Sequence, residues 1–379
     1  MLSFTPTPKL EKELKRLQGL LAETCKTLEN LEPDEENYLR RCALISNIGA
    51  STRIENAVLT DQEVDWVDTT LTEDGKTTAF EEKKQFILDK IKDKLSKDKE
   101  RSLEEVVGCR EMLNTLYLEG AELYPLRETH VRGLHHDLLR YYPKAARYAG
   151  DYKASPNRVV SRNHDTGEER VVLEPAPPSI ITKTAMADLL AWYNETIREY
   201  PWPILTATEF VFRFLAIHPF QDGNGRLGRA LFTLALMHSD DKYLDKLVPL
   251  IAIDRRIEQN RPQYYTVLHK ASGGKYDPDP AHYDLAPVAW FFLKVIEAAL
   301  GDVNICRVRY ANLKKLTETA QTVLNCFKNH PEKRLKVADI EAETELPRRT
   351  VQYALKTLTE LAFLQILGQG AGSRYQLVF

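Results

Sequence analysis

Cysteine is scarce in this chain. Five occur in 379 residues, Cys25, Cys42, Cys109, Cys306 and Cys326, scattered and never spaced C-x-x-C. That pattern excludes a disulfide framework and a zinc ribbon, and it fits a reducing compartment. No apolar run approaches the roughly 18 residues that a membrane-spanning helix needs. Lys9, Lys12, Lys15 and Arg16 stand where a signal peptide would place its apolar core, so the expectation is a cytoplasmic protein with no membrane partner. Charge of one sign is also missing: 52 Lys and Arg against 55 Asp and Glu leave a net −3, which excludes a global basic field for nucleic acid. Internal repeats and low-complexity segments are absent. What remains is ordinary globular composition, 43% hydrophobic and 28% charged, in a chain long enough for two or three domains.

Helical patterning dominates. Leu10, Leu14, Leu17, Leu20 and Leu21 recur at helical spacing between Pro8 and about Leu44. The charged stretch Ala79–Lys99 carries Phe86, Ile87, Ile91 and Leu95 on one stripe and reads as one helix packed by one face. Further helices are expected over Leu103–Tyr117, Glu128–Arg140, around Met186–Trp192, over Phe210–Ile217 and Ala230–Met237, and from Pro287 to about Lys315. Two β-prone runs, Arg158–Ser161 and Arg170–Leu173, flank Asn163-His164-Asp165-Thr166-Gly167, a hairpin signal closed by Pro175, Pro177 and Pro178.

The chemistry concentrates in residues 218–229, His-Pro-Phe-Gln-Asp-Gly-Asn-Gly-Arg-Leu-Gly-Arg, set between two apolar helical runs. Pro219 should end the first helix near His218. Gly223 and Gly225 permit positive φ and put no Cβ in the way, so successive amides can converge on an anion at the start of the next helix. Arg226 and Arg229 share one face there and suit phosphate oxygens. Asp222 offers a hard oxygen ligand for Mg²⁺, which binds through one or two carboxylates together with substrate phosphates. His218 is the candidate general base, with an unperturbed pKa near 6.5. A histidine or a G-N-G turn alone has an ordinary structural explanation; a turn between helices needs neither two arginines nor an aspartate beside its glycines.

These residues resemble the Fic-domain signature H-x-F-x-[D/E]-G-N-G-R-x-x-R at every fixed position. The resemblance extends over roughly residues 40–300 and takes in Gly150-Asp151-Tyr152-Lys153, Pro177-Pro178 and Tyr264-Tyr265. It implies an all-α core with a β-hairpin flap over 158–173 and transfer of AMP from ATP to a Ser, Thr or Tyr hydroxyl of a target protein and of the chain itself. Carried over residue by residue, His218 is the base and Asp222 holds Mg²⁺. Gly223, Asn224, Gly225, Arg226 and Arg229 bind the phosphates, Tyr264 and Tyr265 lie on the adenosine side, and Phe220 packs beneath the loop. The flap would align the target segment by strand addition, and a homodimer is implied. Ser272 stands where several relatives have Asn, a departure that bears on base preference. Ser51-Thr52-Arg53-Ile54-Glu55-Asn56 is similar to the family's inhibitory pattern [S/T]-x-x-x-E-[G/N], in which Glu55 would occupy Arg229. A rival reading makes Glu55 the base of a de-AMPylating hydrolase.

Residues 315–379 differ in kind. Helices are expected over 317–329, 337–343 and 347–361, followed by strands 364–367 and 374–378 around the Gly-rich run 368–373, the order of a winged helix-turn-helix. Nine basic and seven acidic residues leave a balance of +2, a thin footprint for DNA. Pro347-Arg348-Arg349-Thr350 would open the recognition helix and Arg374 would lie on the wing. The second function class is thus a DNA-binding regulator with a nucleotide-sensing core. The expected organisation is N-terminal helices with the inhibitory segment 51–56 (1–110), a catalytic core (111–310) and the C-terminal module (315–379).

Overall fold

The computed structural model describes all residues except 74–75, 92–95, 163–168, 332, 369 and 379. Helix α1 (Pro8–Thr27) begins at Thr7, whose Oγ1 accepts the Leu10 amide at 3.3 Å, and buries Leu10, Leu14, Leu17 and Leu21 as one stripe. Next come α2 (Pro33–Ile54), α3 (Asp61–Leu71), the strand pair β1 (Thr72–Glu73) and β2 (Lys76–Thr77), α4 (Phe80–Ile91), α5 (Ser96–Glu119), α6 (Glu128–Leu139) and the short α7 (Pro143–Ala146). The hairpin β3 (Val159–Arg162) and β4 (Glu169–Leu173) leads into α8 (Ile180–Thr196), α9 (Pro203–Ile217), α10 (Asn224–Met237), α11 (Lys242–Leu247), α12 (Ile253–Gln259), α13 (Arg261–Ser272) and the long α14 (Ala286–Lys314). The expected all-α architecture with a small hairpin is what the chain adopts.

Two elements depart from the sequence reading. The single helix expected over 79–99 is α4 and the beginning of α5, which pack against one another as a continuous helix cannot; Leu95 lies outside the described residues. The β1–β2 pair, with Thr72 opposite Thr77, was not anticipated, although Asp74-Gly75 in the sequence between them is a two-residue turn signal.

Helix α2 is unusual in its burial. From Ile45 to Thr52 every residue is buried, because α3, α5, α12 and α14 surround it. Its polar groups there are satisfied internally. Asn47 Nδ2 donates to Tyr117 Oη and to Ile251 O, both at 3.1 Å, and Asn47 Oδ1 accepts the Asp254 amide at 3.0 Å. Thr52 Oγ1 donates to Ile48 O at 2.9 Å.

Strands β3 and β4 pair antiparallel with Val160 opposite Val171. The expected turn 163–167 lies outside the described residues. The hairpin base is tied to the core: the Glu174 amide donates to Gly274 O at 2.8 Å, and Tyr276 N donates to Glu174 O at 2.9 Å. After α14 come α15 (Glu318–Lys328), α16 (Val337–Thr344), α17 (Arg348–Glu360) and the antiparallel pair β5 (Leu364–Leu367) and β6 (Arg374–Leu377). They enclose a separate apolar cluster that includes Val323, Phe327, Ile340, Leu355 and Phe363. Among the described residues no helix is long and apolar enough to cross a membrane.

Candidate active site

Helix α9 cannot continue through Pro219, and it ends on His218 in the left-handed conformation, φ 51° and ψ 58°. For a residue with a Cβ that geometry costs about 1–2 kcal/mol, so something must hold it. The segment after α7 supplies the clamp. Asn157 Nδ2 donates to His218 O at 3.2 Å and to Phe220 O at 2.8 Å, while Lys153 Nζ donates to Ile217 O at 3.0 Å and to Asn157 Oδ1 at 2.9 Å. Lys153 N donates to Pro219 O at 2.8 Å. Burial lowers the Lys153 pKa to about 8.

Phe220 is fully buried and stacks on His135, ring centroids 3.7 Å apart. The His135 ring has one allowed tautomer. Its Nδ1 accepts the Gly150 amide at 2.8 Å, so the proton sits on Nε2, which donates to Asp222 O at 2.9 Å. Burial lowers its pKa to about 4.

His218 is oriented by the same reasoning. Its Nδ1 lies 3.2 Å from Leu215 O, and a carbonyl can only accept, so Nδ1 carries the proton and Nε2 keeps a free lone pair. Desolvation lowers its pKa to about 4, against the ordinary 6.5 anticipated from the sequence, while the bond to Leu215 O works the other way.

The loop then turns on Gly223, φ 80°, whose amide donates to Asp222 Oδ1 at 2.6 Å. The first helical bond of α10 is Leu227 N to Gly223 O, which leaves the amides of Asn224, Gly225 and Arg226 without helical partners at the positive end of the helix dipole. Asn224 is buried and its side chain closes on the loop itself, Oδ1 accepting Phe220 N at 2.9 Å and Nδ2 donating to Phe220 O at 2.8 Å. Gly225 lies within α10, not in the positive-φ region expected for it. Its missing Cβ matters for another reason: one would sit 2.4 Å from Glu55 Oε1.

The two arginines are in opposite states. Arg226 is buried, and its Nε and Nη1 have no hydrogen-bond partner; only Nη2 approaches Asp222 Oδ1, at 3.4 Å. Arg229 is saturated. Its Nη1 and Nη2 each donate to Glu55 Oε1 at 3.1 Å, Nη2 to Ser51 O at 2.8 Å and Nε to Ser51 Oγ at 3.1 Å, with Asp254 Oδ2 at 3.5 Å. Burial opposes the guanidinium charge, but Glu55 and Asp254 outweigh it and hold the pKa above its ordinary value.

These groups surround a cavity of about 350 Å³. His218, Asp222, Gly223, Asn224, Gly225, Arg226, Arg229, Glu55, Tyr264, Tyr265 and Ser272 all line it, and Val159, Val160, Val172 and Leu173 of the hairpin form an apolar wall. Tyr264 is buried with its hydroxyl unpartnered. Of the residues singled out in the sequence, Ser51 is buried behind Arg229, and Asn56 stands apart from the lining, its Oδ1 accepting Arg261 Nη2 at 3.0 Å. His135, Asn157 and Asp254 were missed, and Lys153 was noted only within Gly150-Asp151-Tyr152-Lys153, with no role given. None of the three missed residues falls in a recognisable motif. Asp222 Oδ1 is engaged by the Gly223 amide, yet the side chain is 39% exposed at the cavity, and no group of three or more His, Cys, Asp or Glu among the described residues is arranged to hold a metal unaided. That donor set fits an ion that shares its ligands with substrate phosphates.

Comparison with known proteins agrees with this geometry. Residues 125–236 match the Fic/DOC family. Over 126 residues the chain is 29% identical to protein adenylyltransferase fic-1 of Caenorhabditis briggsae, covering 33% of this chain and 21% of that protein, and 28% identical to its Caenorhabditis elegans counterpart. The match thus takes in about a fifth of the length of these curated relatives. A Fic family protein from Desulfovibrio desulfuricans G20 superposes with a TM-score of 0.54 at 23% identity, over 100% of this chain and 98% of that one. A Fic domain containing signaling protein from Bacteroides thetaiotaomicron VPI-5482 also gives 0.54 at 23% identity, over 78% and 96%. The chain carries a Fic domain, and Glu55, Tyr264 and Tyr265 come to its cavity from outside the matched segment, on α2 and α13.

Proposed function

We propose that this protein is an adenylyltransferase that moves AMP from ATP onto a hydroxyl of a target protein and of itself, restrained by Glu55. One observation carries the reading: a buried arginine, Arg226, holds two unpartnered N–H groups beside free amides at a helix start, in the cavity that also presents the Nε2 lone pair of His218. A buried cation with unmet donors is costly alone and suits a polyanion.

The triphosphate would lie against the amides of Asn224, Gly225 and Arg226, with Arg226 and Arg229 gripping its oxygens. Asp222 would hold Mg²⁺, which when bound neutralises phosphate charge. His218 Nε2 takes the proton of the target hydroxyl as that oxygen bonds to the α-phosphorus and pyrophosphate leaves. Leu215 O, bonded to the Nδ1 proton, steadies the imidazolium that results. The hairpin would align the target segment by strand addition. Glu55 competes with the outer phosphate for the Arg229 guanidinium.

Incubation with α-labelled ATP tests this. Glu55→Gly should label itself and proteins in a lysate at least several-fold more than the parent chain, and Glu55→Gly with His218→Ala should not label. Equal labelling by parent and Glu55→Gly would refute the restraint, and labelling that survives loss of His218 would refute the mechanism. A second reading has its own support: Glu55 lines the same cavity as His218, so it is placed to activate water against an AMP-modified side chain. Release of AMP from a pre-modified target without ATP, lost in Glu55→Gly, would favour that direction. For residues 315–379, exposed Arg349 and Tyr353 on α17 favour a winged helix that contacts DNA; salt-dependent binding lost in Arg349→Ala would bear it out.

A further inference from the structure

A second recess, of about 300 Å³, lies where α2, α14 and the C-terminal module meet, walled by residues that include Ile45, Leu313, Leu324 and Phe363. It also presents two cysteines from different helices, Cys42 of α2 and Cys306 of α14, both partly exposed. The two helices meet there through Tyr38 and Tyr310, ring centroids 5.3 Å apart, and Cys42 and Cys306 stand one turn along from each of these on the antiparallel pair, facing the same recess. Tyr38, Arg255, Asp302 and Arg309 line the same space.

We propose that Cys42 and Cys306 form a reversible oxidation site, which a hydroperoxide converts to a disulfide joining α2 to α14. In the first step the Cys306 sulfur attacks the outer peroxide oxygen, the O–O bond breaks, and the departing alkoxide or hydroxide takes the proton that Cys306 released. In the second, the Cys42 sulfur attacks the sulfenic sulfur, the S–O bond breaks, and the hydroxide leaves as water with the Cys42 proton. The sum is two thiols and one hydroperoxide giving one disulfide, one alcohol or water, and one water.

The surroundings choose Cys306 as the attacking group. A hydrogen bond from Cys42 holds its pKa below the ordinary thiol value; burial and Asp302 oppose this, and Arg255 and Arg309 assist it. The remaining cysteines are set the other way, burial raising Cys25 and pushing Cys109 and Cys326 up to about 12. The bond would have a mechanical consequence, which rests on the restraint proposed for Glu55. Because α2 carries Ser51 and Glu55 to Arg229, a tether at Cys42 would damp local opening of that already buried helix and of its last turn.

Peptide mapping of the intact chain after hydrogen peroxide treatment is the direct test. A Cys42–Cys306 cross-linked peptide should dominate and disappear on addition of dithiothreitol, and it should be absent from Cys42→Ser and from Cys42→Ala. Oxidation that leaves these two cysteines unlinked, or that consumes Cys25, Cys109 or Cys326 first, overturns the site. Amide hydrogen exchange reads the tether without reference to catalysis. Exchange across residues 51–55 should slow several-fold in the oxidised protein, and unchanged exchange would remove the link to the restraint while leaving the adenylyltransferase reading untouched. Conversely, a Glu55→Gly chain that never labels would end that reading without affecting the cross-link.

Discussion

Arg226 and Arg229 sit three residues apart on one helix, yet one holds two unpartnered N–H groups and the other is saturated. Different outcomes follow for their removal. Arg226→Ala should leave thermal stability unchanged or raised, since it deletes a buried charge with unmet donors. In a Glu55→Gly background it should weaken ATP binding by about 10- to 150-fold, the value of a charge-assisted bond of about 1.5–3 kcal/mol, read by calorimetry. With His218 as the proposed base, its lowered pKa would set the acid limb. Labelling by the Glu55→Gly chain should hold as pH falls through 6.5 and fail only toward about 4, and a midpoint at 6.5 or above would contradict the buried, neutral base. The signature loop was legible because its glycines, arginines and histidine are adjacent in sequence. Asp254 and Asn157 were not, since their importance arises only when α12 and the segment after α7 are folded against that loop. The sequence also misassigned Gly225, whose role is steric clearance beside Glu55 and not an unusual φ.

At the scale of elements, the loop between α9 and α10 is a strained turn anchored from below. Phe220 is its anchor, enclosed by His135, Tyr152 and Phe214. Phe220→Ala should destabilise the protein by about 3–5 kcal/mol in denaturant unfolding, as for other buried aromatic truncations. Helix boundaries followed proline at Pro8 and Pro219, whereas α9 starts at Pro203, well before the expected Phe210. Between residues 79 and 99 no glycine or proline marks the change of direction, and a charged amphipathic run looks the same whether it is one helix or two. The hairpin strands were readable from β-branched residues on either side of a turn. Their attachment to the turn after α13 through Glu174 and Gly274 is a long-range backbone pairing that no local pattern announces.

At the scale of the whole molecule, buried neutral histidines tie stability to pH. His135 and His218 have folded pKa values lowered to about 4 by burial, below the ordinary 6.5. Above 6.5 neither state binds a proton and their contribution is complete; as pH falls from 6.5 toward 4 the unfolded chain binds protons that the folded chain refuses, so stability declines. Melting temperature should therefore drop across that window, less steeply in His135→Gln, and a melting temperature flat between those limits would show that these rings are not buried neutral. The burial of α2 has a consequence at this scale as well. Residues 45–52 are interior scaffold, so no stimulus can free Arg229 by withdrawing that helix without opening the protein. Under the restraint proposed for Glu55, restrained and released forms would share one backbone and differ by a rotation or two about the side-chain bonds of position 55. Such a change would be fast, would leave overall dimensions untouched in scattering, and would be visible only to probes that report on a single carboxylate.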